Sequence, residues 1–72
     1  MKILGGLEKR LHQLRKEKKL RQKDMADFLG MTLRNYQRID AGEIDVAASQ
    51  LCELADYFGV SVDYLLGRTD KR

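Results

Sequence analysis

The sequence predicts an all-α chain of five short helices folded into one small domain. Its 72 residues contain no proline, and apolar residues recur along it at the helical spacing of about 3.6 residues. No linker, internal repeat or low-complexity segment interrupts this pattern. A chain of this length has room for one domain, with a core that is only marginally large enough for independent stability.

A stripe of leucines predicts the first helix. The leucines at positions i, i+3, i+7 and i+10 share one helix face and are Leu4, Leu7, Leu11 and Leu14. We expect this helix to end in the basic run at residues 16–19, because cations are favourable near a helix C-terminus.

The second helix is predicted from about Gln22 to Leu29. Its inner face carries Met25, Ala26 and Leu29. Gly30 can adopt the positive φ that ends a helix. Ala26 has almost no side chain, which suits the place where two helix backbones approach closely.

Thr32 is the predicted N-cap of a third helix, which runs from about Leu33 to Asp40 and is terminated by Gly42. Two short helices joined by a tight turn at Gly30 are typical of a helix-turn-helix. The second of the pair is the one that such a motif presents to a DNA groove.

Two more helices follow a loop. The fourth has its predicted inner face at Leu51, Leu54, Ala55 and Phe58, and ends at Gly59. Ser61 is the predicted cap of a short fifth helix from Val62 to Leu66, with Asp63 favourably placed in the first turn.

The net charge of +3 is unevenly distributed. Residues 1–38 contain eleven Lys and Arg against four acids, whereas residues 39–72 contain three bases against seven acids. A basic half suits a domain that offers one end to a polyanion, because phosphate neutralisation releases counterions. The alternative is that these charges only solvate helix faces.

The third helix has two distinct faces. At 100° per residue, Tyr36 and Ile39 lie at about 300° and 240° from Leu33, on the core side. The predicted base-contacting residues are Thr32, Leu33, Arg34, Gln37 and Arg38. A guanidinium suits guanine O6 and N7, an amide suits adenine, and an apolar side chain suits the thymine methyl. Arg38, one turn after Arg34, could instead bind phosphate.

Two strings carry a family resemblance: QKDMADFLGMT at residues 22–32 and LADYFGVSVDYLL at residues 54–66. They resemble the phage repressor and Cro type of helix-turn-helix regulator, the xenobiotic-response-element family, over about residues 11–66. The resemblance implies a lambda-repressor-like DNA-binding domain, which we assign to residues 1–66. We expect residues 67–72 to form a flexible tail. It further implies a bacterial or phage transcriptional regulator, and we expect a repressor. Because one recognition helix reads only about 4–5 base pairs, we expect a homodimer, at least on DNA, that binds an inverted-repeat operator.

The same resemblance assigns roles to residues outside the third helix. It implies that Gln22 binds a phosphate and braces a polar side chain of the third helix, and that Arg15 and Asp40 form a structural ion pair. The predicted phosphate contacts are Arg21, Gln22, Lys23 and Asn35.

The chain departs from the family pattern in two places. Arg21 stands where a Ser or Thr usually caps the second helix, so a cap is lost and a charge near phosphate is gained. The loop at residues 42–49 has Glu43 and Asp45 in place of basic residues and proline. Either this loop turns away from DNA, or backbone N–H groups at the start of the fourth helix bind phosphate, or the domain binds DNA weakly.

Dimer contacts are predicted near the C-terminal end of the domain. The candidates are Tyr57, Val60, Val62, Tyr64 and Leu65. The alternative for each is packing in the core, which we expect to take Phe58 together with Leu65 or Leu66.

The remaining chemistry indicates neither an enzyme nor a cofactor or metal site. His12 is the only histidine and is predicted at the surface, and the single Cys52 is predicted to be a buried or half-buried thiol. An intermolecular disulfide or redox role is the less favoured reading of Cys52. No apolar run is long enough for a membrane span or a signal peptide, so we expect a cytoplasmic protein that does not bind a membrane. The sequence shows no evident site for a small-molecule ligand. The competing class is a protein-interaction module, such as an antitoxin or antirepressor, on the same helical scaffold.

Overall fold

The computed structural model describes residues 6–72, and five helices occur in that range. They are α1 (Leu7–Glu17), α2 (Gln22–Leu29), α3 (Leu33–Asp40), α4 (Ala48–Phe58) and α5 (Val62–Leu65). Residues 6–72 include no strand. The all-α, five-helix prediction is confirmed, and the predicted bounds of the second and third helices agree with α2 and α3.

Caps and glycines set the helix ends as predicted. The Thr32 hydroxyl accepts a hydrogen bond of 3.1 Å from the Asn35 backbone N–H, and Ser61 accepts one of 3.0 Å from Tyr64. Gly30 ends α2 with a φ of 67°. The short fifth helix ends at Leu65, one residue before the predicted end.

The C-terminus of α1 lies in the basic run, as predicted, but the conformation of the turn after it was not predicted. The helix ends at Glu17, inside the basic run, and Lys19 adopts a φ of 56° although it is not a glycine. This turn lets the Leu20 backbone N–H donate to the Arg15 carbonyl over 2.9 Å. The chain is thereby redirected towards α2 within three residues.

One hydrophobic core lies between the helices. The predicted inner faces of α1, α2 and α4 are all buried, whereas Leu4 lies outside the described residues. Ala26 is 1% exposed, as expected where α2 packs against α3. The most deeply buried large side chains are Leu11, Leu14, Met25, Tyr36, Leu54 and Leu65.

The structure corrects the predicted burial of Cys52 and reduces the number of exposed candidates for a dimer contact. The prediction that Cys52 is buried or half-buried is wrong, because its thiol is exposed. Cys52 follows Leu51 by 100° around α4, which moves it off the buried stripe. Among the five dimer candidates, Val60, Tyr64 and Leu65 belong to the core, Val62 is partly buried and Tyr57 is 42% exposed.

Residues 67–72 lie against α1 and α5. Asp70 Oδ1 is 2.9 Å from Arg10 Nη2, and the Arg72 carbonyl accepts a hydrogen bond of 2.9 Å from the Ser61 backbone N–H. The Arg72 guanidinium also pairs with Glu17. The flexibility of residues 67–72 stays a prediction. In the structure they contact Arg10, Glu17 and Ser61.

Candidate nucleic-acid interface

The outward face of α3 gathers the five predicted base-contacting side chains. All of them are exposed, and on the opposite face Tyr36 and Ile39 are 0% and 2% exposed. The predicted separation of a core face from a polar face in this helix is confirmed. A shallow recess of about 140 Å³ on the outward face is lined by Thr32, Arg34, Asn35 and Arg38.

The two arginines of this face have different surroundings. Arg34 forms no hydrogen bond or ion pair with residues 6–72, so its guanidinium is available to a ligand. Arg38 Nε lies 4.0 Å from Glu43 Oε1, and both side chains are more than half exposed. Glu43, in the loop after α3, therefore lies beside the outward face of α3 and offsets part of its positive charge.

The N-terminus of α2 carries two cations that are paired within the helix. Arg21 Nη2 is 3.1 Å from Asp24 Oδ1, and Lys23 Nζ is 3.4 Å from Asp27 Oδ2. Hydrogen bonds from the Arg21 side chain and backbone hold the pKa of the Asp24 carboxyl below its usual range. Asp24 also accepts a hydrogen bond of 2.8 Å from the Arg21 backbone N–H. This bond is the half of a capping box that the third residue of the helix supplies, and it does not depend on a Ser or Thr at position 21.

Asp40, at the end of α3, is the centre of a hydrogen-bond network. Its side chain is 5% exposed. Oδ2 accepts from Arg15 Nη2 at 3.2 Å and from Gln22 Nε2 at 2.8 Å, while Oδ1 accepts from the Tyr36 hydroxyl at 3.1 Å. His12 Nε2 lies 2.9 Å from Oδ2 and 2.9 Å from the Asp40 carbonyl oxygen. The contact between Arg15 and Asp40 thus belongs to a set that ties α1, α2 and α3 together.

The network extends from Asp40 to the outward face of α3. Gln22 gives its amide N–H to Asp40, and its Oε1 accepts a hydrogen bond of 3.2 Å from Gln37 Nε2. Gln37 is exposed, whereas Gln22 is half-buried. The polar side chain of α3 that Gln22 contacts is therefore Gln37.

Two members of this network were missed by the reasoning from sequence. Tyr36 lies four residues before Asp40, which is the spacing that brings side chains together on one helix face. That signal was present in the sequence. His12 reaches Asp40 from α1, 28 residues away in the chain, and no local pattern indicates this contact.

A second exposed surface lies away from α3. The rings of Phe28 and Tyr57 are 4.5 Å apart, and both side chains are about 40% exposed. With Glu53 and Asp56 they line an open groove of about 370 Å³. This groove shares no lining residue with the recess on α3.

Comparison with known proteins decides the family. A family model described as helix-turn-helix matches residues 11–65. The chain belongs to the helix-turn-helix family, of the Cro/C1 type. The recess and the exposed face of α3 thus lie on the second helix of the motif.

The relatives of this helix-turn-helix chain are transcriptional regulators. It is 38% identical over 60 residues to the SPbeta prophage-derived HTH-type transcriptional regulator YonR of Bacillus subtilis, covering 83% of this chain and 56% of YonR. It is 34% identical over 62 residues to the cryptic phage CTXphi transcriptional repressor RstR of Vibrio cholerae, covering 86% of this chain and 55% of RstR. The chain therefore spans about half the length of these curated relatives.

A solved structure supports the same family. The chain resembles a transcriptional regulator from Listeria innocua with a TM-score of 0.83 and 29% identity, over 92% of this chain and 62% of that one. This match confirms the predicted lambda-repressor-like arrangement of five helices. Within residues 6–72, no helix is long and apolar enough to span a membrane.

Proposed function

We propose that this chain is a sequence-specific DNA-binding domain of a transcriptional repressor, with α3 placed in the major groove of an inverted-repeat operator. The observation that carries the proposal is the exposed face of α3. That face offers an arginine without an internal partner, Arg34, and an amide held by a neighbouring helix, Gln37. Both side chains are suited to the donor and acceptor pattern of base edges in the major groove.

The flanking groups supply the phosphate contacts in this proposal. Arg21 and Lys23 are mostly exposed cations at the N-terminus of α2. Each is paired with a carboxylate of α2, so a phosphate would compete with that carboxylate for the cation. Gln22 has a second amide hydrogen that is not given to Asp40, and Asn35 keeps one for phosphate after its contact with Met31. Backbone-directed contacts of this kind fix register and carry no sequence information.

The proposal includes a homodimer, at least on DNA. A single recognition helix reads about 4–5 base pairs, and two copies on an inverted repeat double that number, with half-sites about one helical turn apart. The repressor role is supported by the relatives, of which this chain covers about half the length. YonR is named as a transcriptional regulator and RstR as a transcriptional repressor.

The test is selection from a random DNA pool. The purified chain is incubated with a randomised duplex library at near-physiological salt, and bound DNA is recovered and sequenced over several rounds. Enrichment of an inverted repeat supports both the DNA-binding and the dimer proposals. A folded protein that enriches no sequence contradicts them.

A second candidate is a protein-interaction module such as an antitoxin or antirepressor. The groove formed by Phe28, Tyr57, Glu53 and Asp56 favours it. Exposed aromatic rings suit a protein partner, and the two carboxylates would repel the phosphates of DNA. Salt distinguishes the two. Affinity for DNA through several phosphates falls steeply as salt rises, whereas a largely apolar protein interface responds little.

A further inference from the structure

We infer that the groove near the C-terminal ends of α2 and α4 binds an arginine side chain from a basic segment of a partner protein. This groove is lined by Phe28, Glu53, Asp56 and Tyr57. It shares no lining residue with the recess on α3, so the inference does not depend on whether α3 binds DNA. It assigns the groove a ligand of stated chemistry, a guanidinium next to an apolar side chain.

Two aromatic rings form the apolar part of the groove. Phe28 is the last residue but one of α2, and Tyr57 is the last but one of α4. Their ring centroids are 4.5 Å apart, with 37° between the ring planes. In the described part of the chain, the exposed large apolar side chains are these two, at 39% and 42%, and Leu33 on α3. Exposed apolar side chains that adjoin one another mark an interaction surface, whereas single ones are ordinary.

Two carboxylates on one face of α4 give the groove its charge. Asp56 and Tyr57 follow Glu53 by three and four residues, which is the spacing of neighbours on one helix face. The Glu53 and Asp56 side chains form no hydrogen bond or ion pair with residues 6–72. The acids that do lie beside a cation are Glu17, Asp24, Asp27, Asp40, Glu43 and Asp70.

The α4 side of the groove lies in a stretch of sequence without cations. Residues 41–67 contain no Lys, Arg or His. The last turns of α2 and α4 contain no basic residue either, although the negative end of a helix dipole favours a cation there. A cation from outside would therefore meet two unpaired carboxylates, the negative ends of two helices and the faces of two rings.

The chain itself shows how an arginine uses such partners at another place. The guanidinium carbon of Arg10 lies 4.1 Å from the centre of the Tyr64 ring, and its Nη2 lies 2.9 Å from Asp70 Oδ1. One arginine thus lies over a ring and pairs with a carboxylate at the same time. A planar guanidinium suits this combination better than the compact ammonium of lysine. The groove offers the same two partners, a ring and a carboxylate, to an arginine from outside.

A basic protein segment fits this groove better than a second copy of the chain or DNA. In a two-fold dimer through the groove, each surface would contact its own copy. Glu53 and Asp56 would then face the same carboxylates with no cation between them. The phosphates of DNA would be repelled in the same way. A segment with an arginine beside an apolar residue would instead neutralise the carboxylates and cover the rings.

The experiment begins with selection of short random peptides, displayed as a library, on the immobilised full chain at near-physiological salt. Enriched peptides are synthesised, and their dissociation constants are measured by fluorescence anisotropy. We expect the enriched peptides to share an arginine beside an apolar residue. Replacing that arginine by lysine should weaken binding, and replacing it by alanine should weaken binding about tenfold or more.

Variants of the chain locate the bound peptide. Tyr57→Ala and Glu53→Gln should each weaken binding about fivefold or more. Leu33→Ala removes the exposed apolar side chain of α3, and Asp63→Asn removes an exposed acid of α5. Neither of these matched controls should change the affinity. Circular dichroism checks that each variant is folded, and Glu53→Gln alone decides the test if Tyr57→Ala unfolds the chain.

Enrichment of no peptide, or of peptides without arginine, would overturn the inference. Equal weakening by Glu53→Gln and Asp63→Asn would also overturn it, because binding would then follow net charge alone. Sedimentation of the free chain tests the other occupant. A dimer that dissociates in Tyr57→Ala would show that a second copy covers the groove, and would overturn the inference as well. None of these measurements includes DNA, so they are independent of the test of the proposed function.

Discussion

The Tyr36 hydroxyl donates a hydrogen bond of 3.1 Å to Asp40 Oδ1, one turn further along α3. The Tyr36 ring is completely buried. Burial, followed by the negative charge of Asp40, raises the pKa of the Tyr36 hydroxyl well above its usual range. This contact joins the core face of α3 to the network that reaches Gln37.

Alkaline pH should therefore destabilise the fold. An unfolded tyrosine loses its proton near pH 10, whereas folded Tyr36 keeps it to higher pH, so deprotonation favours the unfolded chain. The stabilisation is fully present below pH 10 and is lost as pH rises beyond it. Urea denaturation between pH 8 and 11.5 should show a decline in the free energy of unfolding that is reduced in Tyr36→Phe. Tyr57→Phe, at an exposed ring, is the matched control and should keep the decline.

The buried pair of Arg15 and Asp40 should matter far more than an exposed pair. Arg15→Ala leaves Asp40, 5% exposed in its side chain, without its permanent cation, and should lower the free energy of unfolding by about 3 kcal/mol. Lys23→Ala removes a partner from the exposed pair with Asp27 and should stay within about 0.5 kcal/mol of wild type. Chemical denaturation compares the two. Equal effects would show that the Asp40 network contributes little to stability.

Two glycines should resist substitution for different reasons. A Cβ on Gly6 would lie 2.9 Å from the Leu66 carbonyl oxygen, whereas one on Gly30 would meet nothing within 4 Å but would require a φ of 67°. Gly6→Ala should cost about 1–3 kcal/mol through overlap, and Gly30→Ala about 1–2 kcal/mol through backbone strain. Asparagine distinguishes the causes in thermal denaturation. It should recover part of the loss at Gly30, where the left-handed conformation is tolerated, and none at Gly6.

The fold was predictable because its signals are local. Apolar spacing located the buried faces, and Thr32, Ser61 and Gly30 marked helix ends by chemistry that acts within three or four residues. The end of α1 was less predictable, because Lys19 adopts a left-handed conformation that a lysine rarely takes. Cys52 was predicted wrongly because one position around α4 separates a buried side chain from an exposed one.

The candidate site was predictable only as a set of exposed residues. Helical rotation separated Arg34, Gln37 and Arg38 from the core, but it carries no information on contacts between helices. The position of His12 beside Asp40, and the choice of Gln37 as the partner of Gln22, depend on how α1 and α2 pack against α3. Those contacts require the folded structure.

Glu43 should weaken DNA binding in the proposed function. Its carboxylate lies 4.0 Å from Arg38 and would face a phosphate backbone near the end of α3. Glu43→Gln should tighten binding about two- to fivefold on any duplex, because it removes repulsion and releases Arg38 without adding a base contact. The gain should shrink at higher salt. Glu53→Gln removes the same charge from α4, and an equal gain there would mean that only net charge matters.

The most direct test of the central claim is the effect of Arg34→Ala on specific and nonspecific DNA binding. Dissociation constants are measured on the selected duplex and on a scrambled one, with Arg68→Ala as a control that removes the same charge outside α3. We predict that Arg34→Ala loses about 1–3 kcal/mol on the selected duplex and relaxes preference at one base pair, with a much smaller loss on the scrambled duplex. Equal losses on both duplexes, or a loss no greater than that of Arg68→Ala, would contradict the placement of α3 in the major groove.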